Sequence, residues 1–499
     1  MTSENDMATV QAKIQKRDGT RGMAEIALEK VPTGIRGLDQ VTHGGFPKGR
    51  TALVCGGPGT GKTLLGLEFL VRGVQLYNEP GVCVAFEETV QELTTNMASL
   101  GYNLDQLVRA RKLAIDYVEI ERKQIEETGE YNLDGLFLRL KQAIDEVKAK
   151  RVLIDTVELL FLGLKNEAVV RSELRRLFHW LKDAGVTAVV TAEAGERSFT
   201  RYGLEEYVAD CVIVLDHRVN EQVSTRRLRV VKYRGSSHGT NEYPFLMESE
   251  GISVMPITSV GLTHGAPTER ISSGIAGLDQ MLGAKGFFRG SSILVTGTAG
   301  TGKSSFSAAF ANAACKRGER ALYFAFEESP SQILRNMSSV GLDLNRWISR
   351  KLLKIHAARP TATGLETHLA QMYKEVEDFQ PDVVVLDPIT NLISVGDQSS
   401  VKAMLTRVID FLKVKNITAM FTNLVFGDDI EERAIGISSL MDGWLVLRDM
   451  SSGADRIRTL NLLKCRGMAH DMRVHSFTLG EKGITINGNF QTIGAPQSK

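Results

Sequence analysis

Cysteine is scarce in this chain, with five in 499 residues. Cys55, Cys83, Cys211, Cys315 and Cys465 are odd in number, widely scattered and mostly set in apolar runs, with no CxxC pair. That pattern excludes a disulfide framework or a zinc ribbon and reads as reduced core residues. An excess of either charge is also missing. Lys plus Arg number 60 against 59 Asp plus Glu, a formal net charge of +1. No general attraction therefore draws the chain to nucleic acid or to an anionic membrane, although a local basic channel stays open. No apolar run approaches a membrane span, and residues 1–20 hold no apolar core of signal-peptide length. The expectation is a cytoplasmic protein with no membrane partner. Nowhere do aromatic and basic residues interleave as they do on single-strand-binding surfaces, which counts against nucleic acid as a partner.

What is present is an ordinary globular composition, 43% hydrophobic and 24% charged. The length allows two to four domains. An internal duplication favours two. "TGIRGLDQ" from Thr33 returns as "SGIAGLDQ" from Ser273, 240 residues on, and "GGPGTGKT" from Gly56 returns as "GTAGTGKS" from Gly297, 241 on. "VAFEE" ending at Glu88 matches "FAFEE" ending at Glu328. Asp155 in "VLIDTV" matches Asp387 in "VVLDPI", and "KYRG" from Lys232 matches "KCRG" from Lys464, both 232 apart. Landmarks in one order, with spacing changed only by a small deletion, mark a copied unit.

Within the first copy, "TALVCGG", "GVCVAFEE", "RVLIDT", "TAVVTAE" and "CVIVLD" are unbroken β-rich runs, as expected of parallel strands buried on both faces. Leu133, Leu136, Phe137, Leu140, Ile144 and Val147 recur at helical spacing and predict a helix laid on the sheet. The fold class is α/β, a mainly parallel sheet flanked by helices, twice over. Residues 249–270, rich in Gly, Pro, Ser and Thr, read as a connector between units at 27–248 and 271–486. A flexible segment, 1–26, precedes them and a short tail, 487–499, follows.

Each glycine-rich loop follows a strand-like run and enters a helix-like one. Glycines let backbone N–H groups point at phosphate oxygens, and the helix behind presents its positive end. Gly59, Thr60 and Gly61 form the predicted cradle in the first copy, with Lys62 reaching the phosphates and Thr63 ligating Mg²⁺. Gly300, Thr301, Gly302, Lys303 and Ser304 take those roles in the second. Asp155 and Asp387, at strand ends, would hold the magnesium shell. The pairs Glu87–Glu88 and Glu327–Glu328 follow a strand expected beside the loop strand. A carboxylate there can polarise an attacking water or hydroxyl, while the bland reading is an acidic pair at a helix N-terminus.

"RRLRVVKYRG" alternates, so Lys232 and Arg234 share one face of a strand while Val231 and Tyr233 share the other. Lys464 and Arg466 repeat this. Such a cationic fork suits charge on a transferring phosphate, as arginine fingers do, or else blunts an edge strand. The copies differ at one telling place: Glu206 and Tyr207 become Ser438 and Ser439. Acid in one copy and hydroxyls in the other points to a phosphorylatable position, whereas read locally paired serines are turn or cap residues.

With these motifs in order, from about Ala27 to about Phe490, the chain resembles the KaiC family of double-domain RecA-like ATPases. "RSELRRLF", "RYGLEEYVAD", "EYPF" and the two "K-x-RG" runs carry the likeness beside the repeated "FEE". The resemblance implies two tandem RecA-like P-loop domains that assemble as a homo-hexamer of stacked rings, with dodecamers left open, and that bind ATP and Mg²⁺ between subunits. It implies slow hydrolysis in the N-terminal ring with Glu87 as base and Glu88 beside it. It also implies serine autokinase activity in the C-terminal ring, with Glu327 as base and magnesium neighbour, Glu328 in support, and Ser438 and Ser439 as acceptors. Nucleotide contacts carried over are Leu64, Ser99, Lys232, Tyr233, Arg234, Ser236 and His238, then Ala299, Ser305, Arg458, Lys464, Cys465, Arg466 and His470.

Departures qualify the likeness. The acceptor pair is Ser–Ser rather than Ser–Thr, Val340 replaces an aromatic contact to the second base, and "NGNFQTIGAPQSK" stops where clock members continue into a tail that binds KaiA. The expected partner is thus a KaiB-like protein on the N-terminal ring and not KaiA, in timekeeping or stress adaptation. A DNA-stimulated RecA- or DnaB-like motor and a nucleotide-gated scaffold remain alternatives, separable by ATPase rates with and without single-stranded DNA and by Glu87→Gln.

Overall fold

The protein is described from a computed structural model. It covers residues 28–119, 133–161, 166–195, 198–201, 203, 205–220, 223–256, 265–425, 436–452 and 455–489. The segment 1–26 and the tail beyond 489 lie outside the described residues.

Two short ribbons open the copies. β1 (Lys30–Val31) pairs with β2 (Phe46–Pro47), and β12 (Arg270–Ile271) with β13 (Phe287–Phe288). The first nine-stranded sheet contains β3 (Thr51–Gly56), β4 (Gly81–Ala85), β5 (Leu113–Tyr117), β6 (Arg151–Asp155), β7 (Thr187–Glu193), β8 (Cys211–Asn220), β9 (Val223–Tyr233), β10 (Glu242–Glu248) and β11 (Gly251–Val254). Their order is β11-β10-β9-β8-β3-β7-β6-β4-β5. From β8 to β5 the strands are parallel; from β8 outward to β11 they are antiparallel.

The second nine-stranded sheet repeats this arrangement. It contains β14 (Ser292–Gly297), β15 (Ala321–Ala325), β16 (Leu353–Ala357), β17 (Val383–Asp387), β18 (Thr418–Leu424), β19 (Gly443–Ser452), β20 (Asp455–Cys465), β21 (His475–Gly480) and β22 (Gly483–Asn489). The order is β16-β15-β17-β18-β14-β19-β20-β21-β22.

The five apolar runs of the first copy are β3, β4, β6, β7 and β8, and β3, β4 and β6 are buried at every position. Helices cover both faces, so apolar side chains on either side of a strand leave water. The helix Asp134–Val147 lays Leu136, Phe137, Leu140 and Val147 into the core, as their spacing predicts. Two expectations change. β4 does not lie beside the loop strand β3, because β7 and β6 stand between them. The crossovers set sheet order, and a buried strand's own residues do not record its neighbours. The stretch 249–270 also holds more than a connector: β11 closes the edge of the first sheet.

The two units touch along one side. Arg227 bridges Glu242 at 2.9 Å and, in the second unit, Glu366 at 2.6 Å. Arg36 meets Asp378 at 2.7 Å, and Met255 is buried in the core of the second unit. Among the described residues no helix is long and apolar enough to cross a membrane.

Candidate functional site: two phosphate loops and their carboxylates

Each loop leaves the C-terminal end of a central strand, the crevice where open parallel sheets bind ligands. β3 ends at Gly56 and the helix Lys62–Tyr77 begins six residues later; β14 ends at Gly297 and the helix Lys303–Lys316 follows. The N-caps Gly61 and Gly302 have φ near 99°, left-handed backbone that favours glycine, and neither helix start has a side-chain cap. Its first N–H groups are left for an anion. A Cβ placed on Gly57, Gly59 or Gly300 would meet nothing within 4 Å, so the cradle is open.

The lysines fold back on their own loops. Lys62 Nζ donates to Gly56 O at 2.9 Å and Gly57 O at 3.1 Å; Lys303 Nζ donates to Thr298 O at 2.8 Å. Thr60 and Thr301 tie the loop with matching bonds of 2.8 Å to Gly57 O and Thr298 O.

Asp155 and Asp387 close β6 and β17. Asp155 Oδ1 accepts from Thr191, and Thr63 of the loop also bonds this carboxylate. Burial raises the Asp155 pKa, opposed by Thr191, Thr63 and Lys62. Asp387 accepts from Thr422 on Oδ1 and from Tyr323 on Oδ2. A carboxylate and a hydroxyl per site form a hard oxygen set that suits Mg²⁺, whose shell is ordinarily completed by phosphates and water. The residues present therefore fit a magnesium nucleotide.

Separation in the sheet does not remove the glutamates from the site. A cavity of about 210 Å³ over the second loop is lined by Ala299, Gly300, Lys303, Ser304, Glu327, Glu328 and Asp387, among others. In the first copy Glu87 is close enough to Asp155, Glu193 and Lys62 to feel their charges; burial raises its pKa first, then Asp155, Glu193 and Glu88, against Lys62. Capping boxes fix these turns. Thr89 with Glu92, and Ser329 with Gln332, cap the helices Val90–Ser99 and Pro330–Ser339.

Within each pair the second member is tethered. Asn96 donates to Glu88 at 3.1 Å and Asn336 to Glu328 at 2.9 Å, whereas Glu87 and Glu327 are the more exposed members of their pairs. Neither asparagine was singled out in the sequence, although their 240-residue offset marks them. Glu158, which accepts from the Glu193 backbone at 2.5 Å, was also missed. Its second-copy counterpart is Thr390, which accepts from Leu424 N at 2.8 Å.

The cationic forks assemble elsewhere. Lys232 Nζ donates to Glu206 O at 2.7 Å and Tyr207 O at 3.2 Å, and Arg234 donates to Tyr207 O at 2.8 Å. Lys464 donates to Ser438 O at 2.9 Å and Ser439 O at 3.4 Å, and Arg466 to Ser439 O. The fork thus clamps the turn carrying the serine pair by its carbonyls and leaves the hydroxyls to other partners. Burial, then the adjacent arginine, lowers the Lys232 and Lys464 pKa values. Tyr233 and Cys465 point inward and are buried, so only their backbone faces the fork side.

The other carried-over residues are placed as follows. His238 Nδ1 lies 3.0 Å from Gly239 O, and Ser236 donates to Ser237 O at 2.8 Å. His470 Nε2 and Arg458 Nε are buried without partners among the described residues, as is Nε of Arg226, the counterpart of Arg458 that sequence reading passed over. Ser99 donates to Asn96 O at 2.7 Å, Leu64 is half-buried and Ser305 is buried. None of Lys464, Arg466, Ser438 and Ser439 lines the cavity over the second loop.

A family model for the KaiC ATPase matches residues 31–259 and again 271–490. The circadian clock protein KaiC2 of Synechocystis sp. is 53% identical over 470 residues, 94% of this chain and 83% of that protein. Circadian clock oscillator proteins KaiC of Thermostichus vulcanus (38% identical; 93% of this chain, 90% of that one) and Synechococcus elongatus (37%; 94% and 91%) are similar along the same length. Doubled loops, doubled carboxylates and a doubled family match agree, and the chain belongs to the KaiC family of ATPases.

Proposed function

We propose that the chain is a nucleotide-driven regulator whose first copy hydrolyses ATP slowly and whose second copy phosphorylates Ser438 and Ser439 of a neighbouring protomer in a homo-hexamer. The observation that carries this reading is the separation within one chain. The acceptor turn, clamped by Lys464 and Arg466, does not line the cavity that holds Lys303, Ser304, Glu327 and Asp387. In this reading donor and acceptor meet when a second protomer brings its acceptor turn and fork to the first one's loop.

In the second copy Lys303 would leave its loop carbonyl for the β- and γ-phosphate oxygens, where the first N–H groups of the helix also converge. Ser304 and Asp387 would hold Mg²⁺, which when bound would neutralise charge on the transferring phosphates. Glu327 takes the proton from the serine Oγ as that oxygen attacks the γ-phosphorus. The new Oγ–P bond forms while the bond to the β–γ bridging oxygen breaks, and ADP leaves. The partner's fork neutralises charge on the transferring group. In the first copy Glu87 does the same for water. Residues in the second copy's place of Glu158 and Glu193 are Thr390 and Leu424, so the first site is the more acidic of the two and better suited to polarising water.

By the same resemblance, a KaiB-like protein docks on the first ring. Incubation with γ-labelled ATP and peptide mapping tests the chemistry. Label is expected on the peptide bearing Ser438 and Ser439. Glu327→Gln should lose it while phosphate release from the first copy persists; undiminished labelling would remove Glu327 from its role.

A further inference from the structure

We infer that Tyr323 is a positioning residue for the magnesium-holding carboxylate of the second site, and that its hydroxyl makes the two copies unequal in their hold on Mg²⁺. The inference rests on the reading of the second loop as a magnesium-nucleotide site. Tyr323 lies in the middle of β15, pairs across to Val385 of β17, and is 1% exposed. A buried phenol needs a partner, and this one donates to Oδ2 of Asp387 at the end of the neighbouring strand. Thr422 donates to Oδ1. Both oxygens of Asp387 are therefore held by protein groups that are not themselves expected to touch the metal.

The first copy lacks this device. The counterpart of Tyr323 is Cys83, which is buried across from Leu153 and at best a weak donor. Asp155 is held by Thr191 and by Thr63. Thr63 is the loop hydroxyl that would itself ligate Mg²⁺, so this support changes when the ion arrives. Packing keeps the two solutions apart. Leu153 fills the space against Gly66, where a Cβ would lie 2.4 Å from Leu153 Cδ1, whereas the shorter Val385 stands across from the larger Tyr323.

Hydrogen bonds to a ligating carboxylate orient it, and their loss typically costs about 10–100-fold in metal affinity. Removing the phenol oxygen alone should thus act on Mg²⁺ at one site and leave the other as an internal control. The test is photolabelling of the full chain with 8-azido-ATP across a Mg²⁺ series and in EDTA, followed by digestion to assign label to each copy. In wild type the second copy should label at lower Mg²⁺ than the first. In Tyr323→Phe the Mg²⁺ needed for half-maximal labelling of the second copy should rise about tenfold, with first-copy labelling and labelling in EDTA unchanged. Tyr323→Leu, which also removes the ring, should shift the midpoint at least as far. An unmoved midpoint in Tyr323→Phe would overturn the inference, as would an equal loss with and without Mg²⁺, the mark of a packing role. Absence of second-copy label in wild type would instead remove the site reading beneath it.

Discussion

Glu87 is the proposed base of the first copy, and its surroundings bear on that task. Burial raises its pKa above the usual glutamate value, Asp155 and Glu193 add to the rise, and Lys62 opposes it. A base acts only when unprotonated, so first-copy hydrolysis should fall as pH drops through that raised value, sooner than an ordinary glutamate would dictate. Glu193→Gln removes one raising charge and should move the acid limb to lower pH, read from phosphate release in a Glu327→Gln background. A limb that stays in place would disconnect Glu193 from the site. The sequence made Glu87 and Glu327 visible because "FEE" occurs twice, and the loop residues visible because glycine, lysine and hydroxyl spacing carries a mechanism. Residue spacing alone does not separate Glu87 from Glu88; the resemblance does, and in the structure the two differ in that Glu88 is tethered. That difference depends on Asn96, a residue eight positions on, which approaches only once the helix Val90–Ser99 has formed.

At the level of elements, the strands that were legible are those buried on both faces. β5 is half-exposed beyond its first residue, and β10 and β11 lie at or beside a sheet edge with short, mixed sequences, so no clean period announces them. Sheet order was illegible for a related reason: β4 reads the same beside β3 as beside β6. One helix shows how tightly the elements are fitted. Arg151 at the start of β6 is fully buried, bound to Phe69 O at 2.9 Å, Pro32 O at 2.8 Å and Glu79 at 2.7 Å, and sits over the Phe69 ring. A Cβ on Gly73 would lie 2.4 Å from Arg151 Cδ. Because those bonds leave Arg151 no room to yield, Gly73→Ala should destabilise by about 1–3 kcal/mol. Gly135→Ala, on an exposed helix face with nothing within 4 Å, should stabilise by about 0.4–1 kcal/mol. Chemical denaturation of both variants checks the contrast, and a neutral Gly73→Ala would mean the helix and β6 are loosely packed.

The whole molecule is a copied unit whose halves kept their geometry and diverged in chemistry. Tyr323 against Cys83 and Thr390 against Glu158 fall beside the loop carboxylates, and Ser438–Ser439 against Glu206–Tyr207 fall at the cationic fork. The two units are joined by Arg227, shared between Glu242 and Glu366, and by Met255 reaching into the second core. The duplication was readable from the sequence because offsets accumulate along the chain. Residue spacing alone does not read out the proposed transfer between protomers, because a fork and a target on different chains would share no offset; that expectation came from the resemblance. Mixed assemblies address that directly. Chains carrying Glu327→Gln keep their acceptors but lack the base; chains carrying Ser438→Ala with Ser439→Ala keep the base but lack acceptors. With γ-labelled ATP neither assembly alone should take up label, whereas co-assembled chains should label the Glu327→Gln protomers. Co-assembled chains that remain unlabelled, or Glu327→Gln chains that label by themselves, would contradict transfer across the seam between protomers.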